Sequence, residues 1–135
     1  MTATTTTIET PVVWKQGVAA AGVAAAATTA LASIAAAGGV SFSDGRGPGI
    51  PTLGFTQLTL LFALIGVAMA AVMERKAKQP RSTFVRTAAV LTVLSFVPDL
   101  TFGFDAASAV TLIALHTVAA AIVVPVVAGR LSRTR

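Results

Sequence analysis

The residues able to do chemistry fall on two stripes in the second half of the 135-residue chain. Asp105, Ser108, Leu112 and His116 are spaced by three, four and four residues, so on a helix they share one face. Ala88, Thr92, Ser95 and Asp99 form a matching stripe just upstream. Residues 100–104 leave only a short connection, which predicts two antiparallel neighbours. If the stripes face each other, Thr92, Ser95, Asp99, Asp105, Ser108 and His116 line a shallow polar cleft that opens outward.

His116 is the sharpest candidate among them. It stands eleven residues beyond Asp105, which is roughly 16 Å deeper along a helix. Its functional roles would be proton relay, ligand contact or haem ligation. The plainer role is an imidazole bonded to a backbone carbonyl or to a neighbouring hydroxyl such as Thr28, Thr29, Ser33 or Thr92. Asp99 and Asp105 form an acidic pair suited to acid–base work. The plainer reading is two interfacial residues, with Asp105 stabilising a helix N-terminus. A triad of Ser108, His116 and Asp105 fails because its ends lie too far apart on one helix. The chain has one His and no Cys. A bis-His haem would need two chains, and thiolate-bound metals and thiol redox chemistry are excluded. No cofactor and no metal site is expected, and no catalytic residue is assigned.

The elements that must position these residues are membrane spans. Hydrophobic residues make up 55% of the chain and charged residues 11%, and the mean hydropathy is +0.83. A soluble domain carries about 25% charged residues; so few charges cannot cover a water-facing surface. The apolar runs and their breakers predict an all-α, four-helix transmembrane up-down bundle with spans near 15–38, 54–76, 82–99 and 105–130. The domain covers 14–130. Residues 1–13 read as a disordered Thr-rich tail and 131–135 as a basic tail. The first apolar run exceeds the roughly 7–15 residues of a signal-peptide core, so it is expected to be a retained span. The third span is expected to be short, with Pro98-Asp99 marking its far end.

Charge sets the expected orientation. Lys15, Arg75, Lys76, Lys78, Arg81, Arg86, Arg130, Arg133 and Arg135 fall on one side, and Arg46 alone on the other. The positive-inside rule puts those nine, and both termini, in the cytoplasm. The net charge of +5 is therefore a topology signal, and nucleic acid is not an expected partner. The expected partners are the bilayer itself, anionic lipids at the cytoplasmic face, and a membrane-protein partner or a second copy. Arg46, the lone external cation, is expected to approach Asp99 or Asp105.

Close helix packing in lipid uses small residues. Gly22, Ala26 and Ala30 recur at fours, as do Ala25, Thr29, Ser33 and Ala37, so the first span is expected at the centre. Gly66 and Ala70 repeat the pattern on the second, whose Leu- and Phe-rich face is expected to meet lipid.

The Trp14-led, Ala-rich first helix, Ser95 near Pro98, and Leu115-His116 followed by Ala119-Ala120-Ala121 resemble a family of small four-helix membrane proteins of high-GC Gram-positive bacteria, a domain of unknown function. The resemblance runs from about Trp14 to Arg130. It implies the same topology and supplies no reaction.

The expected function is therefore that of an accessory or structural protein of the plasma membrane that binds a partner or lipid. The alternative is a ligand-binding protein or enzyme using the polar cleft with His116. A small dimeric exporter is disfavoured, since no carboxylate lies between Lys15 and Asp44.

Overall fold

The computed structural model describes residues 13–135. Its four helices are α1 (Val13–Ala37), α2 (Thr52–Lys76), α3 (Pro80–Thr101) and α4 (Ala106–Ala128). All four are long and apolar enough to cross a membrane; at about 1.5 Å per residue they exceed the ~30 Å hydrocarbon core. The expected tail at 1–13 lies outside the described residues except for Val13.

Local chemistry explains the boundaries. Gly39, at φ 97°, follows α1 in the left-handed conformation that glycine tolerates. Pro80 sits at the start of α3, where its missing N–H costs nothing. Asp105 caps α4. One expectation is corrected. The third span is not short and does not end at Pro98: α3 passes through Pro98 to Thr101. Proline removes one hydrogen bond within a helix, and here it does so in the last turn, where Pro98 O still accepts from Phe102 N.

The helices run up and down. On the α1–α2 hairpin Thr28 pairs with Thr59 and Thr29 with Thr56, so one helix rises as the other descends. α1 packs on α2 and α4, and α3 packs on α4 and α2. α2 and α4 also meet across a short diagonal, whereas α1 and α3 do not pack together. α1 is the most buried of the four spans, as expected of a central helix, although it does not reach α3.

The small-residue face is corrected too. Gly22, Ala26 and Ala30 are exposed, and nothing lies within 4 Å of a Cβ built on Gly22. The packed face carries Gly17, Ala20, Ala21, Ala24, Ala25, Thr28 and Ala32. A Cβ on Gly17 would stand 2.6 Å from a Val67 methyl, so α1 and α2 approach closely there. Leu58, Leu61, Phe62 and Ile65 of α2 face outward, as expected of a lipid-facing surface.

The core has two parts. One, near the connection of α2 to α3, includes Val67, Ala70, Phe84, Val123 and Val127. The other, near the remaining connections, includes Ala32, Phe42, Phe55, Leu112 and Leu115. We call these the basic end and the loop end. At the basic end the chain after α4 is pinned down. Arg81 N donates to Ser132 O, Arg135 N to Lys78 O, and Ser132 N to the Glu74 carboxylate.

Candidate functional site

Of the six polar residues of the two stripes, Asp105 and Ser108 form one group and Asp99 and His116 another, whereas Thr92 and Ser95 bond within α3.

The first group ties the loop end together. Asp105 Oδ1 accepts from Ser108 N at 2.9 Å, and Oδ2 accepts from Ser108 Oγ at 2.8 Å and Ser41 Oγ at 3.0 Å. Ser108 Oγ in turn accepts from Phe42 N at 3.0 Å. Phe42 is buried, has φ 51°, and sets its ring edge-on to Phe55 at 4.9 Å. A left-handed φ is uncommon for a residue with a side chain. The Ser108 hydroxyl and the Phe55 ring hold it in place. These hydrogen bonds, the Ser108 amide first, keep the Asp105 carboxyl below its ordinary value of 3.8.

Two outcomes follow for this clamp. Ser108→Ala leaves a buried Phe42 N–H without its acceptor, at a cost of about 1–3 kcal/mol readable as a lower unfolding midpoint in detergent. The Asp105 contribution runs with pH. Because its folded pKa is lowered, the stabilisation is complete above 3.8 and is lost as the pH falls through the lower folded value. Loop-end amides of Ser41 to Ile50 should therefore exchange faster below about pH 4, and Asp105→Asn should remove that acid sensitivity.

The second group is a pair. His116 Nδ1 and Asp99 Oδ2 share a hydrogen bond of 2.9 Å. The Asp99 side chain is 7% exposed and that of His116 42%. The Phe96 ring lies beside the imidazole, with centroids 6.5 Å apart. Two features bring the pair together. Helical side chains lean toward their own N-terminus, so on antiparallel helices Asp99 and His116 lean toward one another. In addition, α3 is shifted toward the basic end, as the contact of Arg81 with Ser132 beyond α4 requires. Asp99, in the last turn of α3, thereby meets a residue about 15 Å into α4. Residues Phe102 to Asp105 climb back to the start of α4. Gly103, at φ 93°, passes so close to Asp44 that an added Cβ would lie 3.2 Å from its carbonyl oxygen.

Several expectations are corrected by these contacts. His116 bonds a carboxylate and neither a hydroxyl nor a backbone carbonyl. Thr92 donates to Ala88 O and Ser95 to Thr92 O; these hydroxyls satisfy themselves on their own helix. Thr28 and Thr29 are spent on α2, and Ser33 on Thr29 O. Arg46 makes no ion pair among the described residues; its backbone N–H donates to Asp44. Exposed ion pairs contribute about 0–1 kcal/mol, and both target carboxylates already have fixed donors. Sequence reasoning did not find Ser41, Thr56, Thr59 or the Phe42 amide. The two threonine pairs carried a usable signal, since they sit at matching distances from the hairpin turn. The Phe42 amide carried none.

The pair has a definite chemical capacity. A carboxylate on one imidazole nitrogen fixes the ring and the proton position, leaving Nε2 to donate or accept. Nε2 has no partner among the described residues. Asp99 as carboxylate with His116 as imidazolium, or both neutral, gives zero net charge in an apolar span. Asp105 and Ser108 are engaged with each other, Ser41 and Phe42, and neither bonds the imidazole.

The fold and this pair define a small multi-pass membrane protein with an Asp–His couple set within its spans. The chain belongs to a family of unknown function, DUF6069, which matches residues 8–133 and so includes all four helices. No curated protein and no solved structure matches it.

Proposed function

We propose that the protein is an accessory component of the plasma membrane, with both termini in the cytoplasm, that binds another membrane-spanning chain through the α3–α4 face around His116. One observation carries this reading: the imidazole is held by a buried carboxylate at Nδ1 yet turns partly outward, with Nε2 unpaired among the described residues. Hydrocarbon offers no hydrogen bond, so polar groups at that depth need a protein or ligand partner. A backbone carbonyl or polar side chain of a neighbouring helix supplies one. The test places a photoreactive benzophenone amino acid at Ile113, one turn before His116, in cells. Protein adducts, with a second copy or another chain, are expected, and they should vanish in the Asp99→Leu/His116→Leu background. Adducts to lipid alone, or protein adducts indifferent to the double substitution, would refute the reading.

The free Nε2 also favours a second reading, a site for a membrane-soluble ligand bearing a carbonyl or hydroxyl. Lipid-extractable small-molecule adducts at Ile113 that depend on His116 would select it.

The orientation rests on the nine basic residues at one end. The chain has no cysteine, so a single introduced one reports cleanly. Gly47→Cys, in open space, should react with an impermeant maleimide on intact cells. Arg135→Cys should react only after lysis, and the reverse pattern would invert the topology.

A further inference from the structure

At the basic end lies an open hollow of about 470 Å³ lined by Arg81, Ser82, Val85 and Arg133. Its construction is specific. Arg81 and Ser82 sit in the first turn of α3, whereas Arg133 belongs to the segment beyond α4. The backbone bonds of Arg81 to Ser132 and of Arg135 to Lys78 bring the two guanidinium-bearing segments to one place. Leu131, buried beneath, anchors the segment.

The charges in this hollow are uncompensated. Neither Arg81 nor Arg133 forms an ion pair among the described residues, where the one such contact is that of His116 with Asp99. Glu74 is the only acidic side chain at this end among the described residues, and it accepts from Ser132 N. The Ser82 hydroxyl also has no partner among the described residues. Two forked cationic donors and a hydroxyl around one concavity match a phosphate group, which arginine grips with paired hydrogen bonds.

The surroundings choose the source of the phosphate. Val85, one turn further into the span, is exposed and forms the apolar edge of the hollow. Beyond it Ala89 and Val93 are exposed on α3. A soluble phosphate would use only the cationic part, whereas an acyl chain would lie along this apolar strip.

We infer that the hollow is a binding site for an anionic glycerophospholipid, its phosphate held between Arg81 and Arg133 with Ser82 donating to it and an acyl chain along Val85. This differs from the general attraction of a basic surface to acidic lipid, because it assigns the selectivity to two of the nine cations.

The test measures lipid retained on the purified full chain by native mass spectrometry. The probes are phosphatidylglycerol, phosphatidylcholine and inorganic phosphate. The wild type is expected to hold one phosphatidylglycerol about tenfold more tightly than phosphatidylcholine, and Arg81→Gln/Arg133→Gln should abolish that preference. Arg75→Gln/Arg86→Gln, with the same loss of charge outside the hollow, should stay within about twofold of wild type. Arg81→Lys/Arg133→Lys keeps the charge and any stabilisation from it, and is expected to lose severalfold through the missing fork geometry. Equal losses in the two Gln variants would overturn the inference in favour of unspecific charge. Equal retention of phosphatidylcholine, or full displacement of the lipid by millimolar inorganic phosphate, would overturn it as well.

Discussion

His116→Leu is expected to destabilise the protein by about 1–3 kcal/mol, and Asp99→Leu/His116→Leu to recover most of that loss. The single substitution strands a carboxyl group that is almost wholly buried in an apolar span. Leaving a buried polar group without its partner costs about 1–3 kcal/mol, while replacing both partners of a buried pair with apolar residues is often neutral. Steric-trap or denaturant unfolding in micelles measures each arm, and the double-mutant cycle gives the coupling. A coupling below about 1 kcal/mol would match an ordinary interhelical hydrogen bond in a membrane and would deny the pair a special part in stability. The same double variant separates structure from function. It should fold as the wild type does and lose the His116-dependent cross-link.

Gly17→Ala should also destabilise, by about 1–3 kcal/mol from overpacking, even though alanine is the better helix former by about 1 kcal/mol. The reason is the Val67 side chain, whose two methyls would lie 2.6 and 2.7 Å from the new Cβ. Valine in a helix is confined to essentially one rotamer and cannot swing away. Val67→Ala should rescue Gly17→Ala by reopening the space, whereas Gly17→Leu should prevent α1 from docking. Gly22→Ala is the control, since it meets nothing and should be neutral or slightly stabilising. Equal effects at Gly17 and Gly22 would show that helix propensity, and not the α1–α2 contact, governs this helix.

This contrast marks where the sequence was legible. The four helices follow from apolar runs broken by Gly-, Pro- and charge-rich segments, and the outward face of α2 from its large side chains. α1 gave no such guide. Nearly every phase of an Ala-rich helix is small, so Gly22-Ala26-Ala30 looked as suitable as Gly17-Ala21-Ala24. Only the partner's shape, a valine at position 67, decides between them. The candidate site divided in the same way. His116 stood out as an ionisable residue in apolar surroundings, and Asp99 as an acidic residue at the outer rim. Their pairing did not, because level-by-level matching across the α3–α4 turn ignores both the shift of α3 and the lean of the side chains. Pro98 misled for a related reason: a proline near a helix end removes too little to end it.

The placing of α3 has a consequence for how the chain enters the bilayer. α3 is the least apolar of the four helices, carries Asp99, and does not pack on α1. When it emerges during synthesis, α1 and α2 can already close on each other through Gly17 and the threonine pairs. The histidine that meets Asp99 has not yet been made. A lone carboxyl group in lipid is costly, which favours entry of α3 together with α4 as one hairpin over entry of α3 alone. On that account the Asp–His pair would couple the insertion of the third helix to the synthesis of the fourth.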